Sequence, residues 1–146
     1  MTTTATAEGI TIARVFDAKR EAVFAAWTDP AQFGGWFGGG ETTCEDVVFE
    51  VRPAGTWRAT MVLPDGNRMY WVGEYVQVDP PTRLVLTITD DPANEARDVL
   101  TVELSEVDGG THMLFTQTGG HNSEQGYTQA AHGWNVFFDT MEPLLG

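Results

Sequence analysis

The sequence predicts an α+β fold in which an antiparallel sheet packs against a long C-terminal helix and encloses an apolar cavity. Three observations favour it. Residues 44–119 alternate β-type segments with turn sequences, as consecutive antiparallel strands do. The segment from 122 to 145 carries apolar side chains at helical spacing. The segment 68–78 is apolar on both faces of a strand, which indicates cover on both sides or a large interior.

The elements follow in a regular order. A strand at 10–16 precedes a helix at 19–28, and Asp29 followed by Pro30 then starts a short helix that ends near Gly34. Asn122 and Gln125 have the spacing of a capping box at the start of the last helix. Turn sequences rich in Asp, Asn, Gly and Pro separate six further strands, which gives seven in all. These six lie near 44–51, 56–63, 68–78, 83–89, 98–105 and 111–118.

The last helix has an apolar stripe that needs cover. Burial of each large apolar side chain contributes about 2 kcal/mol, so leaving five of them in water would forgo roughly 10 kcal/mol. The helix must therefore lie across the sheet. The stripe consists of Ala130, Trp134, Phe137, Phe138, Met141 and Leu145.

Length and charge restrict the class of protein. The 146 residues suit one domain, assigned to 9–146, and the aperiodic residues 1–8 are expected to form a flexible tail. Acidic residues outnumber basic ones 21 to 8, so we expect neither nucleic-acid binding nor attraction to an anionic membrane. The acidity serves solubility or, alternatively, a basic partner protein. A homodimer is compatible with the sequence.

The cysteine content and the lack of targeting patterns in the sequence indicate a cytoplasmic location. A single cysteine, Cys44, excludes an intramolecular disulfide, as is typical of reducing compartments. The chain shows neither a signal-peptide pattern nor an apolar run of about 18 residues, so we expect no membrane insertion.

Aromatic residues are the main candidates for a ligand site. The chain has five tryptophans, and an indole N–H needs a partner when it is buried, which suits a pocket wall as well as a core. Core packing is the competing interpretation, above all for Trp27 and Trp134. The predicted cavity lining is Trp36, Phe37, Trp57, Met61, Trp71, Tyr75, Phe115, His121, His132, Trp134 and Phe138.

Catalytic and metal-binding patterns are weak. The histidines at 112, 121 and 132 lack the paired spacing of zinc ligands, so no metal and no cofactor is predicted. His121 and His132 are eleven residues apart, and one could act as a general acid or base if both face inward. Cys44 is interpreted as a half-buried strand thiol. We therefore assign no catalytic residue and expect a binding protein rather than an enzyme.

Several motifs together resemble one known family, the proteins similar to the C-terminal domain of the activator of the heat-shock-protein-ninety ATPase, within the SRPBCC superfamily of START and birch-pollen-allergen proteins. The resemblance covers about residues 9–146. In order, the motifs are 27–30 (WTDP), 36–38 (WFG), 50–57 (EVRPAGTW), 65–66 (DG), 73–75 (GEY), 79–85 (DPPTRLV), 132–134 (HGW), Met141 and 144–145 (LL).

The resemblance implies a helix-grip fold, a curved antiparallel sheet around the C-terminal helix, with two short helices after the first strand and an internal apolar cavity. It also implies three functional hypotheses. The first is binding of a small hydrophobic molecule, aromatic or lipid-like, in a carrier or sequestering role. The second is a cofactor-independent enzyme of the cyclase or aromatase type. The third is a co-chaperone or stress-response role with a chaperone as partner.

Overall fold

The computed structural model describes residues 2–145, which form eight strands and three α-helices. The C-terminal helix continues into one 3₁₀ turn, Glu142–Leu145. The helices are α1 (Arg20–Thr28), α2 (Pro30–Phe33) and α3 (Glu124–Met141). The strands are β1 (Thr2–Thr6), β2 (Gly9–Phe16), β3 (Thr43–Phe49), β4 (Thr56–Val62), β5 (Arg68–Asp79), β6 (Arg83–Ile88), β7 (Asp98–Val107) and β8 (Gly110–Thr118).

All eight strands belong to one antiparallel sheet in the order β1-β2-β8-β7-β6-β5-β4-β3. The chain makes the β1–β2 hairpin, passes through α1 and α2 to the far edge at β3, and returns strand by strand to β8. Because β8 then pairs with β2, the last strand lies beside the N-terminal hairpin. This architecture confirms the predicted α+β class with an antiparallel sheet, two short helices and a C-terminal helix.

The longest strand, β5, changes its pairing partner halfway along its length. Residues 68–74 pair with β4, and the pairing with β6 begins at Tyr75. Gly73 lies next to this change of partner, where a Cβ atom would approach the carbonyl oxygen of Thr87 to 1.8 Å. Trp57 Nε1 donates to the same oxygen at 2.8 Å. Only glycine leaves room for this close approach, so position 73 requires glycine.

The core lies between the sheet and the three helices, and aromatic rings fill it. The ring centroids of Trp27 and Trp36 are 4.9 Å apart, and those of Phe115 and Trp134 are 4.7 Å apart. Such edge-on and tilted contacts are favourable geometries for aromatic pairs. Five residues of α3 are buried against this cluster: Tyr127, Ala131, Trp134, Phe138 and Met141. The predicted stripe is thus confirmed at Trp134, Phe138 and Met141, whereas Ala130, Phe137 and Leu145 are partly buried.

A buried arginine attaches the end of α3 to the sheet. Arg14, on β2, is 6% exposed, and its guanidinium donates to Asp139 Oδ1 at 2.6 Å and to the carbonyl oxygen of Asn135 at 3.3 Å. Both partners belong to α3. Since the positive charge lies beside the last helical turns, it also complements the helix dipole.

The structure corrects three expectations. It has eight strands rather than seven, because residues 2–6 pair with β2 and Thr3 Oγ1 accepts a hydrogen bond from Asn135 of α3 at 3.1 Å. Met1 and Gly146 lie outside the described residues. The N-cap of α3 is Ser123, whose Oγ accepts from Gly126 N at 3.0 Å. Asn122 lies one residue before this N-cap, and its Oδ1 accepts from Ser123 N instead.

The α-helix also ends earlier than expected, at Met141. Pro143 follows, and a proline lacks the N–H of a helical hydrogen bond and crowds the carbonyl of the preceding turn. The last four described residues therefore form a 3₁₀ turn. None of the helices in residues 2–145 has the length and hydropathy that a transmembrane helix needs.

Candidate functional site

A pocket of about 280 Å³ lies between α3 and the inner face of β4, β5, β6 and β8. The loop after α2 closes one side of it. We call it the apolar pocket, because Gln117 is the one amide or ionisable side chain among the described residues that line it. The lining is Phe37, Gly38, Met61, Leu63, Met69, Trp71, Ile88, Gln117, Ala130, Gly133, Trp134 and Phe137.

Two local features leave this space open. Gly133 is in the middle of α3, and a Cβ atom built on it would meet nothing within 4 Å. Position 133 therefore places no side chain in the pocket. Met61 and Met69 face each other as cross-strand partners on β4 and β5. Methionine is unbranched and flexible, so these side chains can adapt to a guest molecule.

A second, polar cleft of about 300 Å³ adjoins the apolar pocket. Trp71, Ile88, Gln117 and Ala130 line both spaces and form the partition between them. The other residues of the polar cleft come from the loop before β7, from the first residue of β7 and from the loop before α3. They are Thr89, Asp90, Asp91, Asn94, Ala96, Asp98, His121 and Asn122.

Asp98 is the centre of a hydrogen-bond network that joins the two spaces. Its side chain is 11% exposed, and Oδ2 accepts from Gln117 Nε2 at 2.8 Å and from the Tyr127 hydroxyl at 2.9 Å. Oδ1 lies 2.8 Å from His121 Nδ1. Gly119 permits this arrangement, since a Cβ atom there would come within 2.0 Å of Asp98 Oδ1. Burial, and then the bond to Asp98, raise the pKa of Tyr127, which keeps its hydroxyl a donor.

The network also fixes the wall of the apolar pocket. Gln117 Oε1 accepts from Trp134 Nε1 at 2.8 Å while its Nε2 donates to Asp98. Because both ends of the amide are engaged, Gln117 cannot flip, and Trp134 is held in one orientation. Two hydrogen bonds thus link Trp134 of α3, through Gln117, to the carboxylate of Asp98.

The five indole N–H groups differ in whether they have an acceptor. Those of Trp27 and Trp71 are buried and have no hydrogen-bond partner among residues 2–145. Trp71 is one of the residues lining the apolar pocket, whereas Trp27 is not. The other three donate at 2.8 Å each: Trp36 to the carbonyl oxygen of Ala26, Trp57 to that of Thr87 and Trp134 to Gln117 Oε1.

The structure brings four of the predicted cavity residues together around the apolar pocket: Phe37, Met61, Trp71 and Trp134. Trp36, Phe115 and Phe138 lie fully buried in the aromatic core. Trp57 and Tyr75 are also buried, with Phe49 packed edge-on against both rings. His121 lines the polar cleft, and His132 is exposed on α3.

The chemically active side chains are few and dispersed. His121 and Asp98 form the one histidine–carboxylate pair in residues 2–145, and the imidazole is 46% exposed. Cys44 Sγ lies 3.1 Å from the carbonyl oxygen of Phe37, and burial raises the thiol pKa to about 11, which suppresses the thiolate. In the same range, no three His, Cys, Asp or Glu side chains gather as metal ligands would.

Sequence reasoning missed Asp98, Gln117 and Tyr127, although two of them left a signal. Gln117 follows Met113 and Phe115 on the inward face of β8, and Asp98 precedes Leu100 and Val102 on the inward face of β7. A polar residue in register with a buried apolar row indicates a partner or a site. Tyr127 carried no such signal.

Comparisons with known proteins agree with this architecture. A protein named Ms6760 from Mycobacterium smegmatis has a TM-score of 0.86 at 20% identity, covering 100% of this chain and 96% of that one. A protein from Staphylococcus epidermidis gives 0.84 at 24% identity, with 99% and 93% covered. NE0264 from Nitrosomonas europaea gives 0.82 at 21% identity, with 95% and 94% covered. At these identities, the likeness shows the fold alone. No curated protein matches.

An antiparallel sheet packed against a C-terminal helix, with two short helices after β2, is consistent with the helix-grip class. The family model described as "Activator of Hsp90 ATPase homolog 1-like protein" matches residues 17–146. The chain belongs to this family, which is part of the SRPBCC superfamily.

Proposed function

We propose that the protein binds a small aromatic molecule in the apolar pocket and acts as a carrier or sequestering protein. The observation that carries the proposal is the space beside Gly133, bordered by apolar side chains of α3 and the sheet. Ligand sites are usually concave and apolar with a few placed polar groups, and Gln117 is such a group here.

The volume of the pocket limits the size of the ligand. An engineered cavity of about 150 Å³ holds benzene, and drug-sized ligands occupy roughly 300–1,000 Å³. The apolar pocket has about 280 Å³, which suits a molecule of about two fused rings. Phe37 and Trp134 offer aromatic contacts to such a ligand, while Met61 and Met69 offer polarisable, adjustable contacts.

Binding of 2-acetylnaphthalene, followed in the ¹⁵N–¹H spectrum of the tryptophan indoles, tests the proposal. We expect a dissociation constant on the order of 10–100 µM and shifts at Trp71 and Trp134, which line the pocket. The indoles of Trp36 and Trp57 donate to backbone carbonyls elsewhere and should shift least.

A pair of variants on neighbouring positions of α3 supplies the control. Gly133→Leu places a side chain in the open space and should weaken binding at least tenfold. His132→Leu adds the same side chain at an exposed position and should leave binding unchanged. Equal affinity in both variants, or shifts that spread over all five indoles, would contradict the proposed site.

A second candidate function is an enzyme of the cyclase or aromatase type, favoured by the His121–Asp98 pair beside the apolar pocket. A carboxylate orients the imidazole, which could then transfer a proton to or from a ligand group that enters the polar cleft. In that case His121→Gln would retain ligand binding while it abolishes conversion of a cyclisable polyketide analogue. Unchanged conversion in this variant would remove the pair from catalysis.

A co-chaperone role is the third candidate, and it rests on the description of the family. Stimulation of the chaperone ATPase by the purified protein would support it. A pull-down without binding and without ATPase stimulation would exclude it. Cytoplasmic location and a homodimer stay predictions.

A further inference from the structure

The indole N–H of Trp71 is a polar group without a hydrogen-bond partner, and Trp71 lines the apolar pocket in which we propose that the ligand binds. Of the five tryptophans, two have a buried Nε1 without a hydrogen-bond partner in residues 2–145, and Trp71 is the one of these two that lines a pocket. A buried donor without a partner is costly, because it has given up its hydrogen bond to water. Such a group indicates either strain or a place for an acceptor from outside the chain.

We propose that Trp71 determines specificity by donating this N–H to an oxygen of the ligand. The pocket would then select aromatic molecules that carry a carbonyl or ether oxygen over hydrocarbons of the same shape. This inference rests on the proposed function, since it names the chemical class of the ligand in the same pocket.

The surroundings of Trp71 support this assignment. Its ring lies in the partition between the apolar pocket and the polar cleft, so a ligand in the pocket contacts it directly. Trp134, on the opposite wall, is held by Gln117, whereas the indole nitrogen of Trp71 is held by no such bond. The ring can therefore adjust its orientation without loss of a hydrogen bond.

The nitrogen itself is enclosed by protein atoms, so the ligand oxygen reaches it only after neighbouring side chains move. Met61 and Met69 line the same pocket and are flexible enough to do so. Once formed, the bond replaces no existing bond to water at Nε1. The ligand oxygen loses its own water, which limits the net gain to that of an ordinary hydrogen bond.

Two ligands of nearly equal shape test the inference. 2-Acetylnaphthalene carries a C=O group where 2-isopropenylnaphthalene carries C=CH₂. We expect the protein to bind the ketone about three- to tenfold more tightly than the alkene. Trp71→Phe keeps an aromatic ring and removes the N–H. In this variant the ratio of ketone affinity to alkene affinity should fall to about the value that the different water solubilities of the two compounds account for.

Trp27→Phe is the matched control, because it removes an equally unpaired N–H from a tryptophan outside the pocket lining. Its affinity ratio should equal that of the unmodified protein. Thermal unfolding checks that both variants are folded. If Trp71→Phe does not fold, the Trp71 Nε1–H resonance decides instead, because the ketone should move it downfield and the alkene should not.

The outcomes separate the two proposals. Equal affinity for ketone and alkene in the unmodified protein overturns the inference and leaves ligand binding intact. A preference that persists in Trp71→Phe also overturns it and points to another donor, such as Gln117 Nε2. If neither compound binds, the proposed function fails and the inference fails with it.

Discussion

Replacement of Asp98 by alanine should destabilise the protein by about 3 kcal/mol. The carboxylate accepts hydrogen bonds from Gln117 and Tyr127, and each bond to a charged group contributes about 1.5–3 kcal/mol. His121 is 46% exposed, so its pairing adds under about 1 kcal/mol. We use the lower end for both buried bonds, because the freed groups can partly recruit water. For a chain of this length the loss corresponds to a fall of roughly 10 °C in melting temperature.

Urea denaturation followed by circular dichroism measures this change. The midpoint should fall while the m-value stays constant, since the folded state keeps its buried surface. Asp90→Ala is the control, because Asp90 lines the same cleft, is exposed and carries the same charge. Removal of either carboxylate makes a chain with a net charge of −13 less negative, and reduced repulsion alone would stabilise it.

A loss below about 1 kcal/mol in Asp98→Ala would refute the view that this carboxylate holds β7, β8 and α3 together. Equal losses in the two variants would assign the effect to charge rather than to hydrogen bonds. The indole signal of Trp134 gives an independent check. It should move in Asp98→Ala, because Gln117 then loses the bond that orients it.

Three further predictions follow from single contacts. Gly73→Ala should cost at least about 2 kcal/mol in chemical denaturation, since its Cβ would overlap the Thr87 carbonyl; Gly133→Ala, which meets no atom, is the control. Arg14→Met should cost about 1–2 kcal/mol, because two contacts with α3 and one with Glu142 of the 3₁₀ turn are lost while the exposed carboxylates regain water; an unchanged midpoint would contradict this. Burial raises the Cys44 pKa from 9.0 to about 11, so the thiol contributes stability below pH 9 that is lost as the pH rises towards 11. The free energy of unfolding should therefore fall less between these pH values in Cys44→Ala, and identical slopes would refute the assignment.

Local sequence patterns predicted most of the fold. Turn residues and alternation predicted seven strands, because a strand with one face towards the core has apolar residues at every second position. The strand β1 escaped this reasoning. Its sequence TTTAT is polar and exposed, and its stability comes from pairing with β2 and from contact with α3. The end of α3 has a local cause, Pro143. The apolar periodicity continues past this proline to Leu145 and therefore predicted a longer helix.

The candidate site was determined only in part by the sequence. Aromatic composition indicated that tryptophans and phenylalanines would line an interior, and Phe37, Met61, Trp71 and Trp134 do meet around one pocket. The sequence could not separate Trp71 from Trp36, which is fully buried. Nor could it bring Asp98, Gln117 and Tyr127 within hydrogen-bond distance.

The tertiary structure decided these questions because they depend on distance between elements far apart in the chain. Whether an indole N–H finds an acceptor depends on the register of β8 against β7 and on where α3 crosses the sheet. Hydrophobic alternation is a property of adjacent residues. It would be the same if the β7–β8 register or the position of α3 on the sheet were different. The sequence by itself therefore determined seven of the eight strands, the helices and the aromatic interior. The tertiary structure decided that Trp134 is held by Gln117 and that the N–H of Trp71 has no partner in the chain.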